Sequence, residues 1–215
     1  MLNFDAVMFD LDGTLVDTLA DIANVGNYTL AKLGQPIHEI GAYRYLAGQG
    51  ARWLVEHALE PDQQHLVEEG FEILKAYQLE HGMDLAEPYE GIPQMLDELT
   101  NRGLKKAVLS NKPDHATQDM IRIKCDRWTF DAVWGHKDEF PLKPDATSAI
   151  AVAEEVGVEP SRWLYLGDTK IDMETANGAG FHSVGVLWGF RDEQELRDSG
   201  ARTIISHPME LIDLL

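Results

Sequence analysis

Cysteine is nearly absent from this 215-residue sequence, with Cys125 standing alone. No disulfide framework within the chain is possible, a usage that fits a reducing cytoplasm. The neighbours Lys124, Asp126 and Arg127 include no histidine to activate the thiol, so it reads as a half-buried structural residue. Positive charge is also scarce. Eighteen Lys and Arg face 37 Asp and Glu, for a net charge of −19 and a pI near 4.6. A surface of that sign repels DNA, RNA and anionic membrane, so neither nucleic acid nor a membrane is expected as a partner. No apolar run approaches the ~18 residues that a membrane span requires. The opening residues show no basic segment ahead of an apolar one, so no secretory leader is expected and the cytoplasm is the expected location. There is no internal repeat, which excludes a solenoid, and no low-complexity tract.

What is present is a regular alternation. Short apolar runs at Ala6–Leu11, Lys106–Leu109, Ala132–Trp134, Trp163–Leu166, Ser183–Leu187 and Thr203–Ile205 read as strands. Helical patterns separate them at Ile92–Asn101, His115–Ile123, Asp145–Val156, Ile171–Ala179 and Glu193–Asp198, with a final helix expected at Met209–Leu215. The length suits one domain with an insertion, and the alternation predicts an α/β class: a parallel, Rossmann-like sheet flanked by helices on both faces. Residues 16–86 break the pattern. Three apolar stripes at helical spacing predict an all-helical insertion there, leaving 1–15 and 87–215 as a discontinuous core, with Pro88-Tyr89-Glu90-Gly91 as the return hinge.

Ligands of an open parallel sheet bind beyond the carboxyl ends of its strands. After the first strand come Asp10, Asp12, Gly13 and Thr14; after the second, Ser110, Asn111 and Lys112. The loop after the third holds Lys143-Pro144, and the fourth is followed by Gly167, Asp168 and Asp172. One sheet edge would collect them all. Carboxylates brought so close repel, unless a hard divalent cation sits among them, and oxygen-only ligation suits Mg²⁺. The metal and Lys143 reverse the local field and attract a dianion. Ser110 and the backbone amides near Gly13 are candidates for hydrogen bonds to phosphoryl oxygens.

With DLDGTLVDT at Asp10–Thr18, LSNKP around Ser110, Lys143-Pro144 and GDTKIDMETANGAG from Gly167, the sequence resembles the haloacid dehalogenase superfamily, in particular its phosphoglycolate phosphatase-like group. The resemblance spans essentially the whole chain. It implies that Asp10 is a nucleophile forming an aspartyl phosphate and that Asp12 is the general acid and base. It implies Mg²⁺ held by Asp10, the Asp12 carbonyl and Asp168, with Asp172 as orienting group or outer ligand. Ser110 would bind the phosphoryl group, Lys143 would neutralise charge, and Thr14 and Asn111 would support substrate binding. The helical insertion would be a small cap that selects the substrate. Its basic residues are Lys32, Arg44, Arg52 and Lys75, and Arg52 is carried as a candidate for a second anionic group.

The expected activity is therefore Mg²⁺-dependent hydrolysis of a small phosphorylated metabolite, 2-phosphoglycolate first, by a monomer or homodimer. Pyrophosphate, nucleotides and sugar phosphates are alternatives on the same core. A phosphomutase is disfavoured because no histidine occurs near Ile22, and a dehalogenase because Asp12 is present. A phospho-acceptor switch would carry no inserted cap. Trp188 is assigned to core packing, and Lys170 has no role.

Overall fold

The computed structural model describes residues 4–215 and divides into two compact units. One combines the chain up to Asp17 with Pro88–Leu215; the other is Thr18–Glu87. In the first, six strands form one parallel sheet: β1 (Ala6–Phe9), β4 (Lys105–Pro113), β5 (Ala132–His136), β6 (Trp163–Gly167), β7 (His182–Val186) and β8 (Thr203–Ile205). Their order is β5-β4-β1-β6-β7-β8. The chain builds outward on one side of β1, then crosses to the other side, so the order reverses around β1, where a doubly wound sheet opens its binding crevice.

β1 shows why that position is central. All four of its residues are buried, as a strand covered on both faces requires. Ala6 and Met8 pack with Ala149, Val152, Trp163, Tyr165 and Phe181 in one core cluster. Phe9 stands opposite Val108 of β4 and Leu166 of β6. The next residues therefore emerge side by side at one edge, and the Asp10 amide still donates to the Leu166 carbonyl at 2.9 Å.

The flanking helices are α5 (Ile92–Asn101), α6 (Asp114–Lys124), α7 (Thr147–Val156), α8 (Lys170–Gly178) and α9 (Glu193–Asp198). In α5 the buried residues are Ile92, Met95, Leu96 and Leu99, the spacing of one helix face. α8 begins with a capping box in which Thr169 and Asp172 satisfy each other's first-turn groups.

Several expectations shift. The second sheet strand runs on to Pro113, so Ser110, Asn111 and Lys112 lie within it, at a register break between Leu109 and Pro113. Val16 and Asp17 form a short strand, β2, paired with β3 (Glu87–Pro88), and are not the start of a helix. Asp168 precedes α8, so it does not share a helix face with Asp172. Pro208–Leu214 winds as a 3₁₀ helix rather than an α-helix.

The unit Thr18–Glu87 contains no strand longer than its share of β3. Its helices are α1 (Leu19–Lys32), α2 (Tyr43–Leu46), α3 (Ala51–Ala58) and α4 (Val67–His81). Ala23, Leu30, Tyr43, Leu54, Val55 and Leu74 form its own core. Among the described residues no helix is long and apolar enough to cross a membrane.

Cys125 is fully buried rather than half-buried, and burial pushes its thiol up to about 11. It should resist a thiol reagent in the native protein and react at once on unfolding in denaturant; fast native labelling would contradict this placement.

Candidate active site

Asp10 follows β1, and its carboxylate is buried against three other charged side chains. Its Oδ1 accepts from Lys143 Nζ at 2.9 Å. The same ammonium donates to Asp172 Oδ1 at 2.7 Å and to the Leu109 carbonyl at 3.0 Å, and it lies 3.1 Å from the Tyr165 hydroxyl. An ammonium has three protons, so the side chain of Lys143 is fully engaged. Its backbone is held as well. The Asn111 side chain accepts from Lys143 N at 2.8 Å and donates to its carbonyl at 3.0 Å.

Asp168, after β6, completes the group. Its Oδ1 accepts from Thr14 Oγ1 at 3.2 Å and its Oδ2 from the Phe190 amide at 2.7 Å. One oxygen from each of Asp10, Asp168 and Asp172 lies within 4.8 Å of the others. Two of these three buried carboxylates, Asp10 and Asp172, share the Lys143 ammonium. Burial, reinforced by the Asp172 charge, raises the Asp10 carboxyl to about 7, against the pull of Lys143. Burial, then Asp172 and Asp10, raises Asp168 well above the carboxylate range. Burial disfavours charge on Lys143, but Asp10 and Asp172 outweigh it and hold its pKa well above the usual lysine range. The excess negative charge and an all-oxygen donor set fit a hard divalent cation such as Mg²⁺.

The turn after Asp10 is folded on itself. The amides of Thr14, Leu15 and Val16 donate to the Leu11 carbonyl at 3.0–3.3 Å, and the Gly13 amide donates to the Val16 carbonyl at 3.0 Å. Of the backbone amides near Gly13 that are candidates for phosphoryl oxygens, those of Gly13 and Thr14 close the turn. Gly13 sits at φ +85°, and a Cβ there would meet the Asp168 carboxylate. Gly13→Ala should lose about 1–2 kcal/mol from the backbone alone, with a further loss from displacing Asp168. Thermal melts with and without Mg²⁺ should show a lower melting temperature and a smaller Mg²⁺-induced rise.

The remaining residues take distinct places. Asp12 is partly exposed, and both its oxygens pair with Lys112 Nζ, at 3.0 and 3.2 Å. Ser110 Oγ accepts from the Lys112 amide at 3.2 Å. Asp172 does not stand ready as a simple ligand: Oδ1 is on Lys143 and Oδ2 accepts from Thr169 N and Oγ1 at 3.1 and 2.7 Å. Arg52 belongs to the other unit, on α3, where its exposed guanidinium pairs with Glu68. Two partners escaped the sequence reading: Tyr165 looks like any apolar strand residue and Thr169 like a turn. Lys112 is expected at the sheet edge, but its pairing with Asp12 is not read from sequence. Trp188 is not simply core: its Nε1 donates to the Thr14 carbonyl at 2.9 Å and braces the turn.

Residues 7–186 match the family model described as "Haloacid dehalogenase-like hydrolase". The chain belongs to the haloacid dehalogenase-like hydrolase family. A family relative, "Phosphoglycolate phosphatase" of Aquifex aeolicus, is 32% identical over 210 residues, covering 97% of this chain and 95% of that one. "N-acetylmuramic acid 6-phosphate phosphatase" of Pseudomonas aeruginosa is 32% identical over 219 residues, 100% and 96% of the two chains. A haloacid dehalogenase-like hydrolase structure from Streptococcus pneumoniae superposes with a TM-score of 0.90 at 27% identity, covering 100% and 99%. A crystal structure from Lactobacillus delbrueckii subsp. bulgaricus gives 0.91 at 27% identity, with 99% and 98% covered. This chain is a phosphatase of that family.

Proposed function

We propose that this phosphatase hydrolyses a small phosphate monoester, 2-phosphoglycolate first, through an aspartyl phosphate on Asp10. The observation that carries the reading is the setting of Asp10: buried, with Oδ1 fixed by Lys143 and Oδ2 without a hydrogen bond among the described residues. Similarity to phosphoglycolate phosphatases over nearly the whole chain supports the substrate.

In this mechanism Asp10 Oδ2 attacks phosphorus, and the bond from phosphorus to the ester oxygen breaks. Asp12 gives its proton to the departing alkoxide. Asp12 then takes a proton from water, which attacks phosphorus and breaks its bond to Asp10. Inorganic phosphate leaves and Asp10 is regenerated. Lys143 orients Asp10 and offsets charge on the transferring group, while Ser110 donates to a phosphoryl oxygen. Asp10, Asp168 and the Asp12 carbonyl, with Asp172 behind them, would hold Mg²⁺, which would supply charge neutralisation for the phosphoryl oxygens. Thr14, Asn111 and Tyr165 support substrate binding by positioning the site, Thr14 through Asp168, Asn111 through the Lys143 backbone and Tyr165 beside the Lys143 ammonium. The unit Thr18–Glu87 serves as a cap that limits which esters reach Asp10. Arg52, whose exposed guanidinium pairs with Glu68, is carried as the candidate contact for a second anionic group on the substrate. Operation in the cytoplasm, as a monomer or homodimer on a soluble metabolite, fits the acidic surface.

A second reading rests on the N-acetylmuramic acid 6-phosphate phosphatase relative, which matches over the full chain. Phosphate release decides between them, measured with and without Mg²⁺ on 2-phosphoglycolate, N-acetylmuramic acid 6-phosphate, pyrophosphate and nucleoside monophosphates. Mg²⁺-dependent turnover led by 2-phosphoglycolate supports the first reading. A lead by the sugar phosphate transfers the chemistry to the second, and no release from any ester sinks both.

A further inference from the structure

The two lysines of the site are bound differently. Lys143 has every proton engaged by Asp10, Asp172 and Leu109. Lys112 has one polar partner among the described residues, the Asp12 carboxylate, so at least one of its three protons is unengaged. Its side chain is only 5% exposed. Its backbone is fixed at the end of β4: the amide donates to Ser110 Oγ at 3.2 Å, and the carbonyl accepts from Thr117 Oγ1 at 3.3 Å. The ammonium is therefore a positioned charge rather than a mobile surface one.

Its position relative to the chemistry is specific. Asp12 is the group proposed to meet the ester oxygen, and Lys112 sits one hydrogen bond behind it. With Asp12 at the ester oxygen, an anion on the carbon that bears this oxygen is the substrate charge nearest the ammonium behind Asp12. A neutral group there gains nothing from the charge.

We infer that Lys112 is a specificity residue that reads a carboxylate on the carbon bearing the ester oxygen, so that the preferred substrates are phosphate esters of α-hydroxy acids. This rests on the phosphatase chemistry proposed above, with Asp12 at the ester oxygen. The test compares kcat/KM for 2-phosphoglycolate and for 2-hydroxyethyl phosphate, in which a neutral CH₂OH replaces the carboxylate. Wild type, Lys112→Met and Lys112→Arg are assayed with Mg²⁺. Wild type should prefer the acid. In Lys112→Met the acid-to-alcohol ratio should fall roughly ten- to hundredfold, the usual effect of losing a hydrogen bond to a charged group, and the fall should appear mainly in KM for the acid. Lys112→Arg keeps the charge and should keep most of the ratio. Should Lys112→Met fail to fold, Lys112→Gln, which can still hydrogen-bond Asp12, reads the same ratio. If the variants lose both activities equally and leave the ratio unchanged, Lys112 serves Asp12 alone and the inference is overturned. Equal wild-type turnover of both esters overturns it too, with the phosphatase mechanism intact. No wild-type release from either ester defeats the underlying reading, and the inference with it.

Discussion

Lys143→Met should abolish most turnover and also weaken the fold. The ammonium is buried between Asp10 and Asp172, and removing it leaves these two carboxylates, with an Asp168 oxygen within 4.8 Å, without their counter-charge. Breaking a buried pair from one side costs about 3–5 kcal/mol, more than the pair itself contributes. Loss of a group aimed at developing charge should reduce kcat roughly 10²–10³-fold. The sign of the pH dependence follows from the carboxylates left behind. They destabilise only when ionised, so the variant should approach wild-type stability as pH falls and protonates them. Mg²⁺ should raise its melting temperature as well, by binding the folded state alone. Denaturant melts at pH 5 and pH 8, with and without Mg²⁺, check all three statements. A variant as stable as wild type at pH 8 without metal would show that the cluster does not depend on Lys143.

Asp10→Asn should separate activity from stability in the opposite direction. Without the proposed nucleophile the enzyme should lose turnover by roughly 10³-fold or more. The metal-free fold should nevertheless become more stable near pH 8, because a charge that is costly to bury, and that Asp172 repels, is gone. Asp10 rises from the usual 3.8 to about 7 on folding. Above pH 7 the carboxylate is charged in both folded and unfolded chains, and the folded protein bears the whole penalty. Between 7 and 3.8 folding takes up a proton and the penalty shrinks; below 3.8 both states are neutral and it is gone. The advantage of Asp10→Asn should therefore be greatest above pH 7, at up to about 4 kcal/mol, and should vanish near pH 4. Stability curves of the two proteins in chelator, taken across that range, test the window. An advantage that grew toward low pH would refute the charge account.

The sheet was legible because its strands are short apolar runs whose neighbours have a different period. β1, buried on both faces, reads as an unbroken apolar stretch, and the catalytic candidates lie where such stretches stop. Asp10, Asp168 and Lys143 could be placed together from topology alone. What stayed hidden depends on contacts with no local signature. Lys112 meets Asp12 across 100 residues of sequence. Tyr165 is a buried strand residue until its hydroxyl is seen beside Lys143. Asp172 and Thr169 advertise a helix start, and it takes the structure to show that the helix cap also fixes the Lys143 partner. The extent of the second sheet strand was misjudged because Ser110, Asn111 and Lys112 are polar, yet β4 carries them past a register break.

The central place of β1 bears on how the chain is made. Ala6–Phe9 leaves the ribosome ahead of both its neighbours, Lys105–Pro113 and Trp163–Gly167, which emerge about 100 and 157 residues later. In between comes Thr18–Glu87, whose core lies wholly within its own contiguous residues. Nascent chains therefore hold a fully apolar strand without partners while the helical unit is complete in sequence. The sheet closes only after both flanking strands arrive, a late, long-range step of the kind that slows folding and invites aggregation. The strand that leads into Asp10 is thus synthesised before its neighbours and secured only when they arrive, and no chain that stops short of β6 assembles the aspartate cluster.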